Sequence, residues 1–176
     1  MPTLVFDPPP AELQTVLVRR HRLDQDRRDE VWEGVLHMIP PPSVEHERLA
    51  AKLVRVIGPL ADTAGLETTL TIAIGADEHE YRVPDLVLLR PGYAPQWNQT
   101  AALVIEIVSP GDKSWDKLSF YAAHQVDEVL VVDLEQQRIS WLSRDGDRYQ
   151  AVERSAVIEL GAGQLAERLG WRSAPQ

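Results

Sequence analysis

LVIEIVS, residues 103–109, is the stretch whose reading decides the fold. A nearly continuous aliphatic run of this length reads as a central strand covered on two faces. Glu106 stands in the middle of it. An ionised carboxylate buried without a partner is costly, so Glu106 needs a strong compensating partner or a wet place to point.

Working outward, RVPDLVLLR (82–90) and EVLVVDL (128–134) are aliphatic runs of the same kind. A helical pattern from about Trp115 to Gln125 separates the last two runs, and strand, helix, strand in that order predicts a crossover unit. LETTLTIAI (66–74) alternates and is rich in β-branched residues, which predicts a half-buried strand, followed by a turn at ADEHE. From Val44 to about Ala64, the residues Leu49, Leu53, Val56, Ile57 and Leu60 form one helical stripe. Ser43 is its N-cap, Gly65 its C′ residue, and Pro59 a candidate kink in the last turn. EVWEGVLHMI (30–39) predicts two short strands around Glu33-Gly34, and RISWLSRDGDRYQAVE (138–153) a hairpin turning at Asp145-Gly146. Short helices are expected over 11–22, with Leu13, Val16 and Leu17 on one side, and in GQLAERLG (163–170). Residues 1–10 are proline-rich and read as extended. HRLDQDRRD (21–29) mixes both signs and reads as a solvated loop rather than a phosphate-binding arm.

These elements predict an α/β fold, a mixed β-sheet flanked by helices with an N-terminal β-hairpin extension. At 176 residues the chain has the size of one domain with a single sizeable core. Three segments are expected: 1–28 as an N-terminal extension with a short helix, 29–155 as the core, and 156–176 as a C-terminal tail. The formal charge of −9 argues against non-specific adhesion to nucleic acid or anionic membranes, so any nucleic-acid substrate needs a local basic patch. With no cysteine, disulfides, zinc–thiolate centres and cysteine nucleophiles are excluded, leaving oxygen or imidazole as metal ligands. MPTLVFDPPPAELQ has neither the basic n-region nor the apolar stretch of a signal peptide, and a cytoplasmic protein without membrane contact is the expectation.

Two acidic residues stand in the two most apolar strands: Asp85 after Pro84, and Glu106. If the strands are neighbours the carboxylates converge, and Pro84, lacking an N–H, predicts an irregularity that aims the next side chain. Carboxylates at short range raise one another's pKa unless a cation lies between them, and a hard metal such as Mg²⁺ is the usual one. The competing reading is that Asp85 caps a turn and Glu106 pairs with Arg82 or Arg90. Lys113 and Lys117 follow in SPGDKSWDKLSFY, where a lysine can bend back over the strand end or lie on a solvated helix face with Asp112 and Asp116. Trp97 and Trp115 are candidates for base stacking against ordinary packing roles, and Tyr121 for bracing Lys117. His21, His37, His79 and His124 have no recognisable partner.

Taken together, EVWEGVLHMIPPPSVEH, VPDLVLLR, LVIEIVSPGD and DKLSFYAAHQVDEVLVVD resemble the Uma-two family of putative restriction endonucleases, a branch of the PD-(D/E)XK nuclease superfamily. The resemblance runs from about residue 29 to 150. It implies a restriction-endonuclease-like fold in which Pro84-Asp85 stands at the superfamily's PD and Glu106-Ile107-Val108 at its (D/E)-x-K. Asp85 and Glu106 would then be metal ligands for Mg²⁺ or Mn²⁺, with the Ile107 backbone carbonyl as a third. Val108 departs from the pattern. In this family a lysine of the following helix takes the place of the strand lysine, which matches Lys117 best, with Lys113 as second candidate. Glu30 matches the acidic residue of the family's EVWEG-like segment and His46 a histidine opening the helix before the core sheet; both are candidate helpers.

The resulting expectation is a metal-dependent endonuclease hydrolysing DNA, with a homodimer as the usual arrangement for cutting both strands. Two alternatives stand beside it. One is a catalytically weak nuclease fold serving as a binding or assembly module, and the other a metal-free pair of carboxylates acting by acid/base chemistry, as in glycosidases.

Overall fold

The aliphatic run around Glu106 lies at the centre of a six-stranded sheet. The structure, a computed structural model, describes residues 4–6 as backbone, 13–93, 96–109, 111 and 113–171. In chain order the elements are β1 (Leu4–Phe6), α1 (Gln14–Arg22), β2 (Glu30–Trp32), β3 (Val35–Met38), α2 (Val44–Thr63), β4 (Glu67–Leu70), β5 (Ala73–Asp77), β6 (Glu80–Arg82) and β7 (Leu86–Leu89). They continue with β8 (Trp97–Asn98), β9 (Leu103–Val108), a 3-10 turn (Ser114–Lys117), α3 (Leu118–Ala123), β10 (Glu128–Asp133), β11 (Arg138–Asp145), β12 (Arg148–Val152) and α4 (Ala162–Leu169).

The large sheet has the order β12-β11-β10-β9-β7-β4. Only β9 and β10 run parallel, as the helical crossover between them requires, and the other pairs are antiparallel. Strand alternation divides β9 between two cores. Leu103, Ile105 and Ile107 pack with Leu53 and Ile57 of α2 and Leu165 of α4, whereas Val104 packs with Phe120 and Tyr121 of α3. Period 2 puts Glu106 on the α3 side. Each fully buried Leu or Ile contributes roughly 1.5–3 kcal/mol, so the two-sided cover fixes the register of this strand firmly.

The second sheet was not expected. Its order is β1-β3-β2-β6-β5-β8, so the N-terminal hairpin is not an appendage but the middle of a six-stranded layer. The two sheets share chain segments because two predicted strands break. The run 66–74 parts at Thr71, which takes φ +53°, into β4 in one sheet and β5 in the other. The run 82–90 parts at Val83-Pro84-Asp85 into β6 and β7. Pro84 cannot donate to a ladder, so the chain changes sheet there and delivers Asp85 to the junction.

Local readings are otherwise close. Ser43 caps α2, its hydroxyl accepting from the His46 N–H at 3.2 Å, and Gly65 takes φ +70° just past its end. The helix continues through Pro59 to Thr63. Glu33 and Gly34 both have positive φ, as a two-residue hairpin loop demands. The expected helix 115–125 is shorter and begins as the 3-10 turn. Helix α1 starts at Gln14 and buries no residue; Val16 and Val18 are exposed. Residues 7–12, with much of the proline-rich segment, lie outside the described residues. After residue 155, Ile158, Leu160, Leu165, Leu169 and Trp171 enter the same core as Ile105 and Leu53.

Candidate active site

The Pro84 break and the end of β9 meet over a cavity of about 740 Å³. Asp85, Glu106, Ile107, Lys117, Glu30, His46 and Lys113 all line it, so the candidate metal ligands, lysines and helpers face one space. Antiparallel pairing of Leu86 with Ile105 makes the two acidic positions neighbours, which meets the condition under which their carboxylates were expected to converge.

Glu106 is buried and its partner is Lys117, neither Arg82 nor Arg90. Lys117 Nζ lies 3.1 and 3.2 Å from the two Glu106 oxygens and 2.8 Å from Glu30 Oε1. Arg82 instead pairs with Glu80 and Arg90 with Asp127. The 3-10 turn explains how Lys117 reaches back, because this tight turn starts directly beyond the strand end and carries the lysine inward. Tyr121, one helical turn later, donates its hydroxyl to Glu106 Oε1, so it braces the carboxylate rather than the lysine. Ser114 Oγ lies 3.5 Å from the other oxygen. Burial, opposed by Lys117 and reinforced by Asp85 and Glu30, pushes the Glu106 carboxyl up to about 8. Burial works against the charged form of Lys117, but Glu106 and Glu30 outweigh it and hold the ammonium well above its ordinary range.

Asp85 is held differently. Its Oδ2 accepts from the Ile107 backbone N–H at 2.8 Å, while Oδ1 accepts from the Arg28 guanidinium and lies 3.3 Å from His46 Nε2. Burial favours the neutral acid, but these donors and charges prevail and lower the pKa below the usual carboxylate value. Asp85 is therefore kept ionised by its donors and does not cap a turn.

Glu30 joins the second sheet to the site. Its Oε1 accepts from the Val83 N–H at 2.8 Å as well as from Lys117, and its Oε2 from Trp32 Nε1 at 2.7 Å. Lys113 lies by the Trp32 ring, 5.8 Å from the centroid, whereas it is Lys117 that contacts Glu106. Trp97 packs against Tyr81, and Trp115 is exposed; neither lines the cavity.

Three lining residues escaped the sequence reading. Arg28 belongs to the mixed-charge stretch read as a solvated loop, yet it reaches Asp85, 57 residues on. Trp32 and His37 stack with centroids 4.5 Å apart, and burial together with the Lys113 charge pushes the His37 imidazole down. Nothing local marked Arg28, whereas the hairpin register that pairs β2 with β3 would have put Trp32 and His37 close.

Hard cations take oxygen ligands, and the cavity offers the Asp85 and Glu106 carboxylates, the Glu30 oxygens being engaged by the Val83 N–H, Trp32 and Lys117. Among the described residues no group of three or more His, Asp or Glu side chains could hold a metal, so a ligand set built on this cavity needs backbone or water oxygens besides the two carboxylates. That set suits Mg²⁺, which usually keeps several waters and takes one or two carboxylates.

A mixed sheet with helices on both faces defines an α/β protein. The profile of the Uma2 family, described as putative restriction endonucleases, matches residues 17–169, and the chain belongs to that family. It is similar in structure to a putative nuclease belonging to DUF820 from Anabaena variabilis ATCC 29413, with TM-score 0.66, 16% identity, and coverage of 80% of this chain and 90% of the other. A chain of a DrdV–DNA complex aligns with TM-score 0.35 and 16% identity over 72% of this chain and 13% of its own length. No curated protein matches the sequence significantly. Among the described residues no helix is long and apolar enough to cross a membrane.

Proposed function

We propose that the protein is a metal-dependent endonuclease that hydrolyses phosphodiester bonds in DNA, with Asp85 and Glu106 as metal ligands and Lys117 as the cationic catalytic residue. The observation that carries this reading is the convergence of two buried carboxylates from adjacent strands with one buried lysine on a single cavity. A divalent cation bound there would polarise the phosphate and lower the pKa of a coordinated water. The chain's own groups do the rest. Ile107 and His46 aim the Asp85 carboxylate, and Tyr121 with Ser114 aims that of Glu106. Glu30 tethers Lys117. Because two carboxylates keep it protonated, Lys117 acts as a donor that orients the attacking water and offsets phosphate charge, not as a base.

In a plasmid-nicking assay cleavage should require Mg²⁺ or Mn²⁺ and disappear in Glu106→Gln and Lys117→Met. Equal cleavage by those variants would remove these residues from the chemistry. A second reading, a nuclease fold kept for binding, is favoured by one observation: Arg28 and Lys117 already neutralise both carboxylates. Calorimetric titration separates the two, since a binding module takes up no Mn²⁺ at millimolar concentration.

A further inference from the structure

Arg28 differs from the other groups around the acidic pair. Asp85 is almost wholly buried, its side chain 5% exposed, whereas that of Arg28 remains 25% exposed. Lys117 is rooted in the 3-10 turn after β9 and its side chain is only 11% exposed, whereas Arg28 comes from the loop before β2 and keeps more of its side chain in solvent. Its second nitrogen is 3.5 Å from Glu47 Oε1, an exposed and weak partner. The guanidinium occupies Oδ1, one of the two oxygens through which Asp85 can ligate, and the other, Oδ2, already accepts from the Ile107 N–H.

We propose that Arg28 is an exchangeable counter-ion: it holds Asp85 in the metal-free protein, gives up that oxygen to the metal, and then binds a phosphate of the substrate strand. This rests on the nuclease reading above and adds a residue and a regulation to it. Two cations cannot share one carboxylate oxygen closely, so metal and guanidinium compete. The displaced side chain stays within reach of the cavity, and its planar fork suits a phosphate better than any other free partner there. The consequence is thermodynamic coupling. Without nucleic acid Arg28 weakens metal binding; with it, the phosphate keeps Arg28 away and metal binds more tightly, and by reciprocity metal strengthens DNA binding.

The test uses the full chain at pH 8. Mn²⁺ is titrated calorimetrically into wild type, Arg28→Gln and Arg28→Ala, with thermal unfolding confirming that each variant is folded. A DNA duplex is then titrated by fluorescence anisotropy with Ca²⁺ present. Loss of a charge-assisted hydrogen bond to a buried carboxylate should tighten Mn²⁺ binding about tenfold in both variants and weaken duplex binding about as much. Wild type should bind the duplex more tightly with Ca²⁺ than with EDTA, and this gain should shrink in the variants. Measurable Mn²⁺ binding of equal or lower affinity in the variants would overturn the exchange while leaving the nuclease reading intact. Absence of Mn²⁺ binding in wild type and in both variants would overturn the nuclease reading itself, and the exchange with it.

Discussion

At the scale of single residues, the buried charges set stability against function. Glu106 is the isolated acidic residue that the sequence made conspicuous, and its environment holds the carboxyl up at about 8, chiefly by burial. Glutamine keeps the shape of that side chain and carries no charge for burial to oppose. In urea denaturation Glu106→Gln should lie closest to wild type near pH 5 and gain on it as pH rises. The sign of the pH dependence follows. A carboxyl whose folded pKa lies above its ordinary 4.5 contributes stability that is present below that value and is lost as pH rises towards 8. Wild type should therefore lose stability between pH 5 and 8 more steeply than Glu106→Gln. Lys117→Met should behave in the opposite way, because it strands Glu30 without its buried cation. A loss of about 3–5 kcal/mol is expected, partly recovered in the double variant with Glu30→Gln.

At the scale of elements, what the sequence revealed and what it hid have separate physical causes. Central strands, the α2 stripe with its Ser43 cap, and both hairpins were legible because each is fixed by local periodicity or turn chemistry. The acidic pair was legible for the same reason: charge stands out against an aliphatic run. Breaks at Thr71 and Pro84 were not read as a change of sheet, since an apolar run looks alike whether one sheet or two receive it. Arg28 was hidden because its meaning comes from a tertiary approach of the loop before β2. The crossing also creates a tight spot. A Cβ on Gly75 would sit 2.4 Å from the Glu80 carbonyl oxygen and 2.7 Å from Tyr81 Cβ, and backbone cannot yield there without disturbing β6. Gly75→Ala should cost about 1–3 kcal/mol in urea denaturation and loosen the Glu30 anchor at Val83. Gly65→Ala meets open space and only a positive φ, so about 1 kcal/mol is expected.

At the scale of the molecule, one core serves both the site and the C-terminal segment. The tail expected from residue 156 onward is tied down by a buried acidic group of its own. Glu128, at the start of β10, accepts from Trp141 Nε1 at 2.8 Å, Ser155 Oγ at 2.5 Å and the Ala156 N–H at 2.7 Å. Beyond it, Ile158, Leu160, Leu165, Leu169 and Trp171 cover the face of the large sheet opposite Glu106. Five buried side chains at roughly 1.5–3 kcal/mol each amount to as much as the whole net stability of a domain, about 5–15 kcal/mol. A chain ending at residue 155 should therefore lose cooperative thermal unfolding altogether, although every candidate site residue is retained. Glu128→Leu is the milder form of the same test. It leaves the Trp141 and Ser155 donors buried without their acceptor, which should lower stability by about 1–3 kcal/mol per stranded group while the chain still folds. If that variant also retained Mn²⁺ affinity, the tail would act on the site only through the stability of the sheet. A changed affinity would mean instead that the position of β9 itself depends on how tightly the C-terminal segment closes the opposite face.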